Sequence, residues 1–263
     1  MLVVKASCRL ALRSFIDSYH LDHVIDRLAP PSSLPPAGGG DPHGPMWLTH
    51  GIRAYVRHAS EAASGVRTMN DIRSEKWERV RGLRDALATF GTRDDFQSVG
   101  FERAAGLSYL AVEWLAGRAG EPALLDYYRR LPSSSDWRAA FAGAFGLGVD
   151  DFQHAFEEYR ADAGPPTLHR IRGWIWDRDG NASPGTVVVA TRDGLRWEDV
   201  AVTGRDGSYE LDLRDGRYRV LVDLGTTRCA VPSDDPRYDG RGIAVNGFPQ
   251  IVWIRLPDGS SCS

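Results

Sequence analysis

The chain has 263 residues, 42% of them hydrophobic and 25% charged, enough for one large core or two smaller ones, and two domains are expected. A net charge of −3 with no run of like charges gives no footing for nucleic acid. No stretch reaches the apolar length of a membrane span, and the opening "MLVVKASCRLALRSF" is broken by Lys5, Arg9 and Arg13 where a signal-peptide core would be continuous.

In chain order, residues 5–29 read as one long helix or two, ending before "PPSSLPPAGGGDPHGP", which is too rich in Pro and Gly to be regular. Apolar spacing then predicts helices over 46–62, 72–89, 101–118, 121–131, 135–145 and 149–162. In the 101–118 segment Leu107, Leu110, Ala111, Trp114 and Leu115 form one stripe. In the last helix Phe152, Phe156 and Tyr159 share a face, and both sets are read as core.

The texture changes at "ADAGPPTLHRIRG", and a linker is placed at 164–168 between a helical domain, 1–163, and a strand-rich domain, 169–263. "IRGWIWD", "GTVVVATR", "SYELDL", "RYRVLVD" and "QIVWIRLP" are strand candidates, separated by "RDGN", "RDGS", "RDGR" and "VNGF" turns. Short strands with regular turns predict an antiparallel β-sandwich, so the fold class expected is α+β in two domains. Cys229 and Cys262 either pair in an oxidising compartment, leaving Cys8 over, or all three cysteines are free thiols.

Metal-capable side chains cluster near the start, in "DSYHLDHVIDR", with His50 following 27 positions after His23. On a helix Tyr19 and His23 share a face, while His20 points elsewhere. "DRDGNAS" has alternate oxygen ligands at Asp177, Asp179, Asn181 and Ser183. However, Gly180 comes early and Val188 stands where a calcium loop needs its closing Glu, so a plain turn is expected. Neither a G-x-S-x-G elbow nor a phosphate loop occurs.

"VVKASCRLALRSFIDSYHLDHVIDRLAPP", "MWLTHGIRAYV", "GFERAAGLSYLAVEWLAGRAGEPALLDYYRRL" and "WRAAFAGAFGLGVDDFQHAFEEYR" resemble the gluzincin-type zinc metallopeptidases of the peptidase MA clan, over roughly residues 2–162. In that family an HExxH helix precedes a WLxEG helix. The resemblance puts Tyr19 at the first zinc-ligand position, His20 at the general-base position, His23 at the second ligand and His50 at the third. Three of these four positions are substituted relative to the motif. A deprotonated Tyr19 is costly, and His20 lacks the geometry of a carboxylate poised over a metal-bound water.

The resemblance also implies a sheet upstream of the motif helix, of which "MLVV" would be the residue of one strand, so a truncated or reduced form is expected. Residues 169–257, through "IRGWIWDRDGNASPGTVVVA" and "VTGRDGSYELDLRDGRYRVLVD", are similar to the carboxypeptidase regulatory-like, transthyretin-like sandwich.

Together the resemblances imply a catalytically inactive peptidase homologue acting as a binding or scaffold module for a peptide or protein. One alternative is an active metallopeptidase with an atypical zinc site, His23 and His50 as ligands and His20 as base or Tyr19 as a third ligand. Another is a secreted or cell-surface adhesion module acting through the sandwich. Zinc is the cofactor the family implies, and secretion is the location it suggests.

Overall fold

The computed structural model describes residues 21–34, 42–162, 167–177, 179–192, 196–223, 228–230, 242–245 and 250–255. They form an α+β protein with two compact units, Met1–Ser60 with Arg73–Pro165, and Glu61–Ile72 with Pro166–Ser263. Among the described residues no helix is long and apolar enough to cross a membrane.

Helices make up the first unit. Residues 21–28 are helical (α1), followed by α2 (Met46–Ala63), α3 (Met69–Val80), α4 (Arg93–Ser98), α5 (Phe101–Ala119), α6 (Pro122–Arg130), α7 (Trp137–Phe145) and α8 (Val149–Asp162). The stripe expected on α5 is core: Leu107, Leu110, Ala111 and Leu115 are buried. So are Phe152 and Phe156 of α8, whose rings stack at 5.9 Å between centroids.

Trp47, at the start of α2, is almost wholly buried and stacks on Phe152 at 5.4 Å, with the edge of Phe141 at 6.3 Å. A buried ion pair joins α3 to α5, with the Arg73 Nε donating to both carboxylate oxygens of Glu113 at 2.9 and 3.0 Å. Its two partners satisfy one another, which is what makes the burial of both charges tolerable.

The helix expected over 72–89 starts earlier and stops sooner. Thr68 and Asp71 cap its start reciprocally: the Thr68 hydroxyl accepts from the Asp71 amide at 3.1 Å, and the Asp71 carboxylate accepts from the Thr68 amide at 3.2 Å. At the other end Gly82, at φ +71°, turns the chain out of the helix, a conformation other residues rarely take. The backbone beyond it is satisfied by α8: Arg160 donates to the carbonyls of Leu83 and Asp85, and Glu157 accepts from the Leu87 amide at 2.8 Å. The short helix α4 was not expected. A capping box between Thr92 and Asp95 builds it.

The second unit is two sheets. One has the order β4-β1-β8 (Ser208–Leu213, His169–Trp176, Gln250–Arg255). The other runs β3-β2-β5-β6 (Asp199–Val202, Val187–Thr191, Gly216–Asp223, Arg228–Ala230), with β7 (Ile243–Val245) also paired to β5. Among the described strands all pairings are antiparallel except β1 with β8, which is parallel and aligns Trp174 with Trp253.

Alternate residues of both sheets, among them Ile171, Ile175, Val188, Tyr209, Leu211, Val220, Val252 and Ile254, form one buried cluster. The turn between α2 and α3 belongs to this unit. Met69 and Asn70 donate their amides to the carbonyls of Trp197 and Glu198, and the Asn70 side chain donates to the Asp212 carbonyl at 2.6 Å. Of the expected linker, residues 164–166 lie outside the described residues, as do Cys8 and Cys262.

Candidate functional site

His50 lies one turn into α2, a helix held tightly against α5. A Cβ at Gly51 would lie 2.5 Å from the Ser108 carbonyl oxygen and 2.7 Å from a Val112 methyl, so only glycine permits this approach. The neighbouring His50 is thereby fixed in place. Its ring meets Phe96 and Phe101 edge to face at 5.6 and 5.3 Å.

Beside the ring is a cleft of about 190 Å³ lined by Leu21, Asp22, His50, Arg53, Ala54 and Arg57. Positions 50, 53, 54 and 57 follow the i, i+3, i+4, i+7 spacing of one helix face, so α2 supplies most of the wall. Leu21 and Asp22 of α1 supply the rest of the described lining. The Arg53 guanidinium donates to the Asp22 carboxylate at 2.7 Å, and Arg57 approaches the His58 ring at 3.4 Å.

Counting side chains, two guanidinium groups face one carboxylate and an imidazole. Burial, then the positive charges of Arg57 and Arg53, push the His50 pKa down to about 4, with Glu102 opposing them. At neutral pH the ring is uncharged within a positive surrounding.

The zinc positions suggested by the sequence fall unevenly. Tyr19 and His20 lie outside the described residues. His23 is exposed on α1 and does not line the cleft, whereas His50 does. Among the described residues no three His, Cys, Asp or Glu side chains converge as metal ligands would. Of metal-ligating types, the described lining of the cleft holds the His50 imidazole and the Asp22 carboxylate, the latter paired with Arg53, and the guanidinium groups beside them oppose a divalent cation.

Arg53 and Arg57 are cleft residues that a search for metal ligands passes over, and Asp22 is one that the motif frame did not single out. Their signal was present in the sequence as two arginines three and seven places after His50 on one helical face.

Two other stretches resolve simply. The "DRDGNAS" loop is a turn in which the Asp177 carboxylate accepts from the amides of Asp179 and Asn181 at 3.0 and 2.8 Å. Those bonds hold its pKa below the usual carboxylate value. On the outer face of β1 and β8, Trp253 stacks on Trp174 at 5.1 Å and on Trp176 at 4.9 Å. Planes inclined by only 26° and 19° at these separations make both contacts stacked ones.

No protein-family model matches the chain. No curated protein matches it either. Among solved structures it is similar to a DUF3823 family protein from Bacteroides ovatus ATCC 8483, at 22% identity over 34% of this chain and 43% of that one, with a TM-score of 0.23. It is also similar to the dioxygenase domain of a dioxygenase carbohydrate-binding protein fusion from Streptomyces sp. SirexAA-E, at 14% identity over 36% of this chain and 81% of that one, TM-score 0.22. A third is catechol 1,2-dioxygenase from Pseudomonas arvilla C-1, at 10% identity over 75% of this chain and 96% of that one, TM-score 0.24. The chain thus spans less than half the length of the DUF3823 protein, and likenesses this slight bear on neither mechanism nor partner.

Proposed function

We propose that the chain is a noncatalytic binding protein, its helical unit a degenerate gluzincin-type homologue and its strand unit a sandwich of the carboxypeptidase regulatory-like kind. The observation that supports this reading is the charge of the cleft beside His50. A peptidase zinc site gathers neutral or anionic donors around the ion, and here Arg53 and Arg57 occupy the same wall as the candidate ligand.

The test is metal content and cleavage, measured together on the full chain. After equilibration with zinc and gel filtration, the expected result is no stoichiometric zinc by mass spectrometry and no chelator-sensitive cleavage of a peptide library. One zinc per chain, lost with the cleavage in His50→Ala, would instead establish an active metallopeptidase with an atypical site.

A second reading, binding through the strand unit, is favoured by the Trp174, Trp253 and Trp176 stack, where Trp253 is half exposed. Retardation in a polysaccharide gel that Trp253→Ala abolishes would support it; equal mobility of the two proteins would remove it.

A further inference from the structure

We infer that Asn181 is an N-glycosylation site, its side-chain amide accepting an oligosaccharide from a lipid-linked diphosphate donor. The site belongs to the strand unit and stands whether or not the helical unit binds metal. Three observations carry it.

The first is sequence. The chain has three asparagines, Asn70, Asn181 and Asn246, and only Asn181 has a hydroxyl residue two places on, as Asn181-Ala182-Ser183. That is the acceptor pattern of asparagine, any residue but proline, then serine or threonine. A carboxamide nitrogen is a weak nucleophile, because its lone pair is delocalised into the carbonyl. The hydroxyl two places on gives the transferase a fixed point from which to present it.

The second is position. Asn181 is exposed, as are Asp179 and Gly180 before it and Pro184 and Gly185 after Ser183. It sits in the turn that joins β1 to β2, where Trp176 and Ala182 form an isolated antiparallel bridge and the Asp177 amide donates to the Asn181 carbonyl at 2.8 Å. A bulky polar graft is accommodated on such a tip, since no core contact has to move. Asn70, by contrast, is buried and donates its side-chain amide to the Asp212 carbonyl.

The third is the hydrogen-bond inventory. The Asn181 Nδ2 carries two hydrogens, and it donates to the Asp177 Oδ2 at 3.3 Å. Glycosylation replaces one hydrogen and leaves the other to make this contact. The bonds that shape the turn, from the Asp179 and Asn181 backbone amides to the Asp177 Oδ1, do not involve the reacting atom. The folded turn therefore keeps its bonding with the product in place. Ser183 differs: its Oγ lies 2.9 Å from the Thr186 Oγ1, and its amide donates to the Ile175 carbonyl at 3.0 Å. Its hydroxyl is engaged once the turn closes, so transfer precedes closure, on the chain as it crosses a membrane.

In the step itself the Asn181 Nδ2 attacks the anomeric carbon of the donor sugar. An N–C bond forms and the bond from that carbon to the diphosphate oxygen breaks. The lipid diphosphate leaves with the electron pair, and the amide gives up one proton to a base of the transferase.

The experiment is mass spectrometry of the full chain isolated from the cells that make it, intact and after digestion. The expected result is an intact mass above that of the sequence by a whole glycan, which fragmentation places on Asn181. Asn181→Gln and Ser183→Ala, made in the same cells, should lose the added mass, and Ser183→Thr should keep it. Because transfer comes before folding, a variant that folds poorly still reports it.

An unmodified Asn181 peptide from the native chain would overturn the inference. So would added mass that survives in Asn181→Gln, which puts the sugar on another residue, or a glycan on Asn181 that survives in Ser183→Ala.

Discussion

His50 in the helical unit and Asp199 in the strand unit are both pushed towards their uncharged forms by burial, and acid acts on them in opposite directions. The His50 pKa is lowered to about 4. Between the ordinary histidine value and that one, the unfolded chain takes up a proton that the folded unit refuses. The stability His50 allows is therefore present at neutral pH and lost as pH falls through this window.

Asp199, on β3, accepts from the Asp212 amide at 2.7 Å, yet burial, with Asp212 and Asp71 nearby, raises its pKa to about 6. Here the folded unit keeps a proton that the unfolded chain has released. Its contribution is present in acid and lost as pH rises from about 4 to about 6. The same physical cause, desolvation, thus gives one unit an acid weakness and the other an acid reserve, because one group is charged when protonated and the other when not.

Substitutions can break or sharpen that contrast, with hydrogen exchange reporting each unit by its own peptides. The largest effect is expected from Trp47→Ala, which empties the space against Phe152 and Phe141 and should lower protection in α2, α7 and α8 by about 4 kcal/mol. Gly51→Ala comes next. Its methyl meets the α5 backbone and should cost about 2 kcal/mol in the same helices. Exchange unchanged in α2 and α5 would remove the close contact as the reason for glycine.

His50→Gln removes the proton linkage. The helical peptides should then lose the acid-dependent fall of about 2 kcal/mol between pH 7 and about 5. Asp199→Asn should do the converse more weakly, abolishing a gain of about 1 kcal/mol in the strand peptides on the same acidification, while its side-chain oxygen still accepts from Asp212. Parallel pH profiles in the two units of the unmodified chain would contradict the contrast itself.

The helices were legible where one apolar stripe faced one core, as on α5 and α8, because the 3.6-residue period states both the element and its buried face. Where local chemistry overrode periodicity, the reading missed. Apolar spacing ran through Gly82, although the chain turns there, and the Thr92 and Asp95 pair that starts α4 was passed over in "GTRDDF". The long strands alternate plainly. The short ones, β3 and β6, pair with their chain neighbours β2 and β5 but are too brief to show alternation, β7 pairs back to β5 past β6, and the parallel match of β1 with β8 joins opposite ends of the strand region. The β7 and β8 pairings have no local sequence signal.

At the cleft, the WLxEG-like frame drew attention to His50 as a residue but carried nothing about its environment. The charge it experiences comes from Arg53 and Arg57 on its own helix, and the desolvation comes from packing, which no motif records. Tyr19 and His20, the other substituted positions, lie outside the described residues.

The most direct measurement is the titration of the His50 imidazole by nuclear magnetic resonance, with and without one equivalent of zinc. The expected result is a midpoint near 4, and ring resonances that zinc leaves in place. A midpoint at the ordinary histidine value of about 6.5, or His50 resonances displaced stoichiometrically by zinc, would contradict the account of a desolvated ring in a cationic cleft.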